Sequence, residues 1–444
     1  MTASKYPSPP VIACMPPILR RFCVLTILLT VVALATKYVC QHVLHLPEEY
    51  CFYFIPWHYR SVDFRCFIPR FKDFHHSTFF ARDAVHGMMF TYPAPGAMVY
   101  QFFYLFRHGI RVYLFISASC AILAAAAFSK SLRRHGLSWR MAIFFMTTAV
   151  LTSYPLSFNS WLGNTEIVLS VLLGLGLYFF AIGRDWEAAT FFALAASLKI
   201  YPLIFFALLL GRKRYRQIVF GIVLFAVVNV VSLWMLAGSV FAAQRGIQDG
   251  LTFYQNGYAL AFLPHDVGVD HSLWALVKGS ILLFKLHPPA FAAWANDLRL
   301  YMLVMVAAML LLYFVRIRKL PLVNQLLCLS IISVSFSPGS KDYTLMNLYV
   351  PWGLLVLVAV DAYRAGRSVP GLNAAITCFA LLFVPLNEFI VNGVVLSGQL
   401  KAIILVVLLV IGLKYPFSER SLKTPPHSEL TPAPWMPSGD EAIA

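Results

Sequence analysis

Ionisable side chains are scarce in this chain of 444 residues, and they gather in a few short stretches. The first long polar break, residues 59–96, reads YRSVDFRCFIPRFKDFHHSTFFARDAVHGMMFTYPAPG and sets Asp63 among Arg60, Arg65, Arg70 and Lys72. A carboxylate in such a place can take a proton from a reacting hydroxyl, and the cations can hold a phosphate. Lys199 stands in KIYP beside the helix-breaking Pro202. His265, Asp266, Asp270 and His271 share one polar stretch (256–272), and Lys341 and Asp342 lie in another, SPGSKDYT (337–344). Each has a plainer reading. Asp63 can pair with Arg60 or Arg65, Lys199 can snorkel from a helix end, and the other cations can anchor to headgroups. His75, His76 and His86 lack further ligands at a recognisable spacing, so neither a metal nor another cofactor is expected.

The elements that must position these residues are set by composition. Hydrophobic residues make up 60% of the chain and charged ones 12%, against about 25% charged in soluble domains. Segments of about 17 to 25 apolar residues recur along the chain, each long enough to cross a hydrocarbon core. The fold class expected is therefore an all-α polytopic membrane protein, since open sheets leave backbone groups unpaired in lipid. Spans are placed at 20–41, 109–129, 140–157, 165–183, 217–238, 298–315, 321–337, 344–362, 371–391 and 398–414. Residues 20–423 read as a single domain between a cytoplasmic tail (1–19) and a disordered Pro-rich cytoplasmic tail (424–444). The first span reads as a retained helix, not a cleaved leader. The net charge of +16 comes from short clusters between apolar runs, which argues for membrane lipids and against nucleic acid. Cys51 and Cys66 share the first loop and can pair if it is extracytoplasmic.

Charge bias orients the spans. Arg20-Arg21, KSLRRHGLSWR (130–140), RKRYR (212–216), RIRK (316–319), RAGR (364–367) and KYPFSERSLK (414–423) belong inside, so the first large loop, 42–108, faces outward. Residues 187–211 then both start and end inside and cannot be one crossing. They read as two half-helices meeting near KIYP, a break tolerated only beside protein or water. Residues 271–286 must dip and return or lie flat at the outer surface, where Lys278 and Lys285 would suit a flat position. The polar stretches then collect on one side, which points to a functional cavity there.

Six segments in order carry a resemblance: YRSVDF with Asp63 after the first helix, TYPAPG (91–96), WLGNTEIVLSVLLGLGL (161–177), AASLKIYPLIFFALLLGRKRYR (195–216), DHSLWAL (270–276) and SPGSKDYTLMNLYVPW (337–352). The pattern resembles the GT-C superfamily of polytopic glycosyltransferases and, within it, glycosyltransferase family 87. Ala94 stands where the family usually has a second proline, and KDY replaces a Trp/His-rich stretch. The resemblance implies a GT-C fold of about 10 to 12 membrane segments with re-entrant half-helices. It also implies inverting transfer of a hexose, mannose first among the choices, from a polyprenyl phosphate to a lipid or glycan acceptor. The site would face the extracytoplasmic side of the cytoplasmic (inner) membrane. Asp63 would be the general base, with Glu48 and Glu49 in competition because a related GT-C family places an acidic pair directly after its first helix. Lys199, Arg60 and Arg65 would hold the donor phosphate. Tyr92, Asn164, His265, Asp266, Asp270, His271, Lys341 and Asp342 are the candidates for contact with sugar or acceptor. A transporter or flippase of lipid-linked glycans is the alternative, and it predicts a mirror of the KIYP break that the sequence lacks.

Overall fold

The computed structural model describes residues 15–45, 62–81, 89–263, 267–385, 390–391 and 394–417. Their backbone is satisfied mainly inside helices, as a chain this apolar requires. The first, α1 (Pro17–Tyr38), starts on a proline, whose missing N–H costs nothing at that position, and continues as a π turn to Val43. Then come α2 (Val62–Phe67), α3 (Ala94–Tyr104), α4 (Gly109–Arg134), α5 (Trp139–Leu151), α6 (Tyr154–Leu162), α7 (Glu166–Ala181) and α8 (Asp185–Leu198). After these follow α9 (Phe206–Gly211), α10 (Tyr215–Met235), α11 (Val240–Tyr254), α12 (Leu273–Leu283) and α13 (Phe291–Val315). The last are α14 (Leu322–Ser335), α15 (Tyr349–Arg364), α16 (Leu372–Phe383) and α17 (Ser397–Lys414). A two-residue antiparallel ladder, Ile390–Val391 with Val394–Val395, is the one strand pair among the described residues.

Six stretches are long and apolar enough to cross a bilayer among the described residues, and α5 with α6, bent by 49°, makes a seventh if taken together. The chain is an all-α polytopic membrane protein. The sequence predicts about ten full crossings, and the difference lies in α7, α14 and α16, which have 16, 14 and 12 residues. At about 1.5 Å per residue these helices are shorter than a core of about 30 Å. They form the interior instead: nearly every residue of α14 is buried. The long helices α4, α10 and α13 do the opposite and present Phe115, Leu123, Trp234 and Leu303 at the surface, as lipid-facing helices do.

The break foreseen in 187–211 is present. Helix α8 ends at Lys199, whose backbone is extended (φ −151, ψ 141), and the chain resumes as a 3₁₀ helix, Tyr201–Phe205, that leads into α9. Residues 271–286 hold the short α12, which packs against α17. Here the sequence reading needs correction. Lys278 does not sit at an outer surface; it is buried, and its Nζ donates to the carbonyls of Tyr258 (2.6 Å) and Ala261 (3.0 Å), while Lys285 is exposed.

The first loop is also less open than its charge suggests. Residues 62–81 and 89–104 build an aromatic core in which Phe64, Phe67, Phe71, Phe90 and Tyr100 meet edge to face or tilted. Such pairs add to the apolar burial that holds the loop together. Arg70 lies inside this core, with its guanidinium on the carbonyls of Cys66 (3.2 Å), Phe79 (3.4 Å) and Ala81. It ties the loop to itself and is spent on that task.

Candidate functional site

The site is assembled from the first loop outward. Helix α2 plants Phe64 and Phe67 in the aromatic core and so fixes Asp63 between them and the α6–α7 turn. That turn is made by Gly163, the C-cap of α6, at φ +70. A Cβ there would lie 2.4 Å from the Phe64 ring, so glycine answers both a backbone and a packing demand. Two phenols clamp the turn: Tyr100 donates to the Gly163 carbonyl (3.1 Å) and Tyr113 to that of Asn164 (2.9 Å).

Asn164 then works with both ends of its amide. Its nitrogen donates to Oδ2 of Asp63 (2.8 Å) and to the Tyr92 hydroxyl, which itself donates to the same Oδ2 at 2.8 Å. Its oxygen accepts from the backbone N–H of Glu166 (3.1 Å), capping α7, and from Nζ of Lys199 (3.2 Å). Among the described residues no group donates to Oδ1 of Asp63. Burial pushes the Asp63 carboxyl above its ordinary range; the Tyr92 hydrogen bond, the Lys341 charge, the Asn164 hydrogen bond and the Lys199 charge pull the other way. Burial and the Asp63 charge hold the Tyr92 phenol well above its usual range, so it is a donor at neutral pH.

Lys199 emerges from the break between α8 and the 3₁₀ helix. Its ammonium lies 2.6 Å from Oε2 of Glu166 and 4.6 Å from the centre of the Tyr343 ring. Glu166 is fully buried in the first turn of α7. Its Oε1 accepts from Tyr201 and from the Asn347 amide (2.6 Å). Lys341 carries its charge toward the same region, with Nζ 4.7 Å from the Tyr258 ring.

A second polar cluster is built from internal partners. Asp270 and Lys341 form a β-bridge, and Oδ1 of Asp270 accepts the backbone N–H groups of Ser272 and Ser340, both at 2.9 Å. Asp342 has no exposed surface; its Oδ2 meets Lys401 at 2.6 Å and its Oδ1 meets Nδ1 of His271 at 3.3 Å. His271 turns its other nitrogen to Thr344 (3.2 Å). Asp270, His271 and Asp342, considered from sequence as contacts for sugar or acceptor, are thus taken up by internal partners.

The structure therefore brings Asp63, Tyr92, Asn164, Lys199 and Lys341 to one place. Glu48, Glu49, Cys51, Arg60, His86, His265, Asp266, the tail 424–444 and the Arg65 side chain lie outside what is described. His75 bonds the Met235 carbonyl (3.0 Å), and no group of three metal-capable residues occurs among the described residues. Sequence reasoning missed Glu166, Tyr201, Asn347 and Lys401. The signal for Glu166 was available: a lone carboxylate opening an apolar helix is costly enough to imply a partner.

Two cavities are lined by other residues. One of about 430 Å³ is lined by Met89, Asp249, Thr252, Phe253, Asn256 and Gly257. The other, about 240 Å³ and almost wholly apolar, runs along Leu203, Ile204, Ala207, Met309 and Phe314, starting in the 3₁₀ helix that follows Lys199.

Comparison with known proteins gives one family. No curated protein and no solved structure matches the chain. The sequence model of glycosyltransferase family 87 matches residues 90–338, more than half of the chain, and this range takes in Tyr92, Asn164, Glu166 and Lys199. The chain belongs to glycosyltransferase family 87.

Proposed function

We propose that the protein is an inverting hexosyltransferase that moves mannose from a polyprenyl phosphate to an acceptor hydroxyl on the extracytoplasmic side of the cytoplasmic membrane. The observation that carries this reading is the Asp63 carboxylate: Oδ2 is fixed by Tyr92 and Asn164, and Oδ1 takes no hydrogen bond from any described residue. An acceptor hydroxyl gives its proton to Oδ1 as its oxygen attacks the anomeric carbon from the face opposite the phosphate. The bond from that carbon to the phosphate oxygen breaks, and the electron pair leaves with the polyprenyl phosphate.

Lys199 and Lys341 supply positive charge for the departing phosphate. The apolar cavity along Leu203 and Met309 takes the first isoprene units of the donor, since it opens in the helix that directly follows Lys199. The cavity of about 430 Å³ takes the acceptor, because its lining residue Met89 is three residues from Tyr92. Incubation of purified protein with a panel of polyprenyl-phosphate hexoses tests the reading: release of polyprenyl phosphate from the mannose donor is expected. Absence of release from every donor in the panel, with hydroxylated acceptors present, overturns it.

A further inference from the structure

Glu166 is a fully buried carboxylate that reaches Lys199, and nothing in the base or phosphate roles accounts for it. It has no exposed surface, and it draws together α7, the break at Lys199 and Tyr201, and the 3₁₀ helix Asp342–Leu348 through Asn347. If its task were only to join these elements, a neutral amide would do so without the cost of burying a negative charge. The charge itself therefore needs a reason, and the cation it touches gives one.

We propose that Glu166 is a positioning residue that holds the Lys199 ammonium against Asn164 and shares its charge, so that the full strength of the cation is delivered only as the phosphate leaves. The inference rests on the reading of Lys199 as the phosphate cation. A polyprenyl-phosphate sugar is a phosphodiester with one negative charge; the polyprenyl phosphate it releases is a monoester and gains a second. A cation held between Glu166 and the phosphate moves toward the phosphate as that second charge develops. Binding is then stronger in the transition state than in the ground state, which is the condition for raising the rate and not merely the affinity. Through Asn164 the same ammonium is held one amide away from Asp63 before it moves, so base and cation start from a set relation.

The test is a pair of variants with two readouts, turnover and direct binding of polyprenyl phosphate to detergent-solubilised protein. Glu166→Gln releases Lys199 from its counter-charge. Donor KM and the Kd for polyprenyl phosphate are expected to fall, while kcat falls by roughly 10- to 100-fold, as for loss of a charge-assisted hydrogen bond. The acid limb of the kcat/KM profile moves to lower pH, because an uncompensated Lys199 favours the Asp63 carboxylate. Tyr201→Phe keeps the charge of Glu166 but removes a competing donor, so the carboxylate grips Lys199 harder; KM and Kd are expected to rise and the limb to move to higher pH. This second variant decides the matter if Glu166→Gln does not fold.

A role in the fold alone predicts lower thermal stability with KM, Kd and the acid limb unmoved, and that result overturns the assignment. If the wild-type protein transfers no hexose, the proposed function fails by itself. The opposite shifts in Kd for polyprenyl phosphate still decide the role of Glu166, and a wild-type protein that does not bind polyprenyl phosphate sinks both.

Discussion

The phenol of Tyr92 meets Oδ2 of Asp63 at 2.8 Å across a sequence separation of 29 residues. It is the strongest of the contacts that oppose the effect of burial on this carboxyl. Tyr92→Phe removes it while leaving the ring in the aromatic core. Asp63 then holds its proton more tightly, so the acid limb of the rate profile is expected to move to higher pH, with a loss of roughly tenfold or more at neutral pH. A limb that stays in place would show that Tyr92 serves only the packing of the loop.

Asp63→Asn is expected to cut transfer by roughly 10²- to 10⁴-fold while binding of the donor persists, since under the proposed function the base acts on the acceptor hydroxyl. In the wild-type protein the carboxyl sits above its ordinary value of 3.8, so activity should fall as the pH drops through that raised value. The sign for stability follows from the same shift. The native state holds this proton more firmly than the unfolded chain, so stability declines as pH rises from about 3.8 through the raised value. Asp63→Asn removes that decline. Melting curves across pH, with and without the substitution, check it.

Lys401 and Asp342 form an ion pair with no exposed surface on either side. Taking away one partner strands a buried charge, and Lys401→Met is expected to cost about 3 to 5 kcal/mol. Replacing both, as Lys401→Met with Asp342→Leu, should recover much of the loss. Thermal melting of purified protein distinguishes this from a role in substrate contact, in which the double variant would be stable and inactive toward one acceptor only.

Orientation is open to labelling in intact cells. Thr78 and Arg134 are both exposed, and cysteine placed at 78 should react with an impermeant maleimide while cysteine at 134 does not. The reverse pattern would turn the proposed membrane orientation over.

Much of this was legible in the sequence. Apolar run length gave the helical class, the charge clusters and Pro202 located the break at Lys199, and Asp63, Tyr92, Asn164 and Lys199, picked out along the chain, are residues that meet in the fold. What could not be read was which ions face each other. Asp342 and Lys401 are 59 residues apart and Glu166 and Asn347 are 181 apart, and their pairing depends on how α7, α17 and the 3₁₀ helix at 342–348 pack. The lengths of the interior helices were hidden for a related reason. A helix covered by other helices need not match the bilayer, so α14 and α16 could be short without exposing backbone.

Asn164 has a consequence beyond the hydrogen bonds it makes. A site that uses an anion and a cation side by side must keep them from cancelling, because opposite charges free to approach collapse into a contact pair. The amide stands between Asp63 and Lys199 with its nitrogen toward the anion and its oxygen toward the cation. Turned over, it would oppose both, so only one orientation is tolerated. The side chain is an insulator with a fixed polarity: it keeps Asp63 from pairing with Lys199 and leaves the outer carboxylate oxygen without a donor among the described residues.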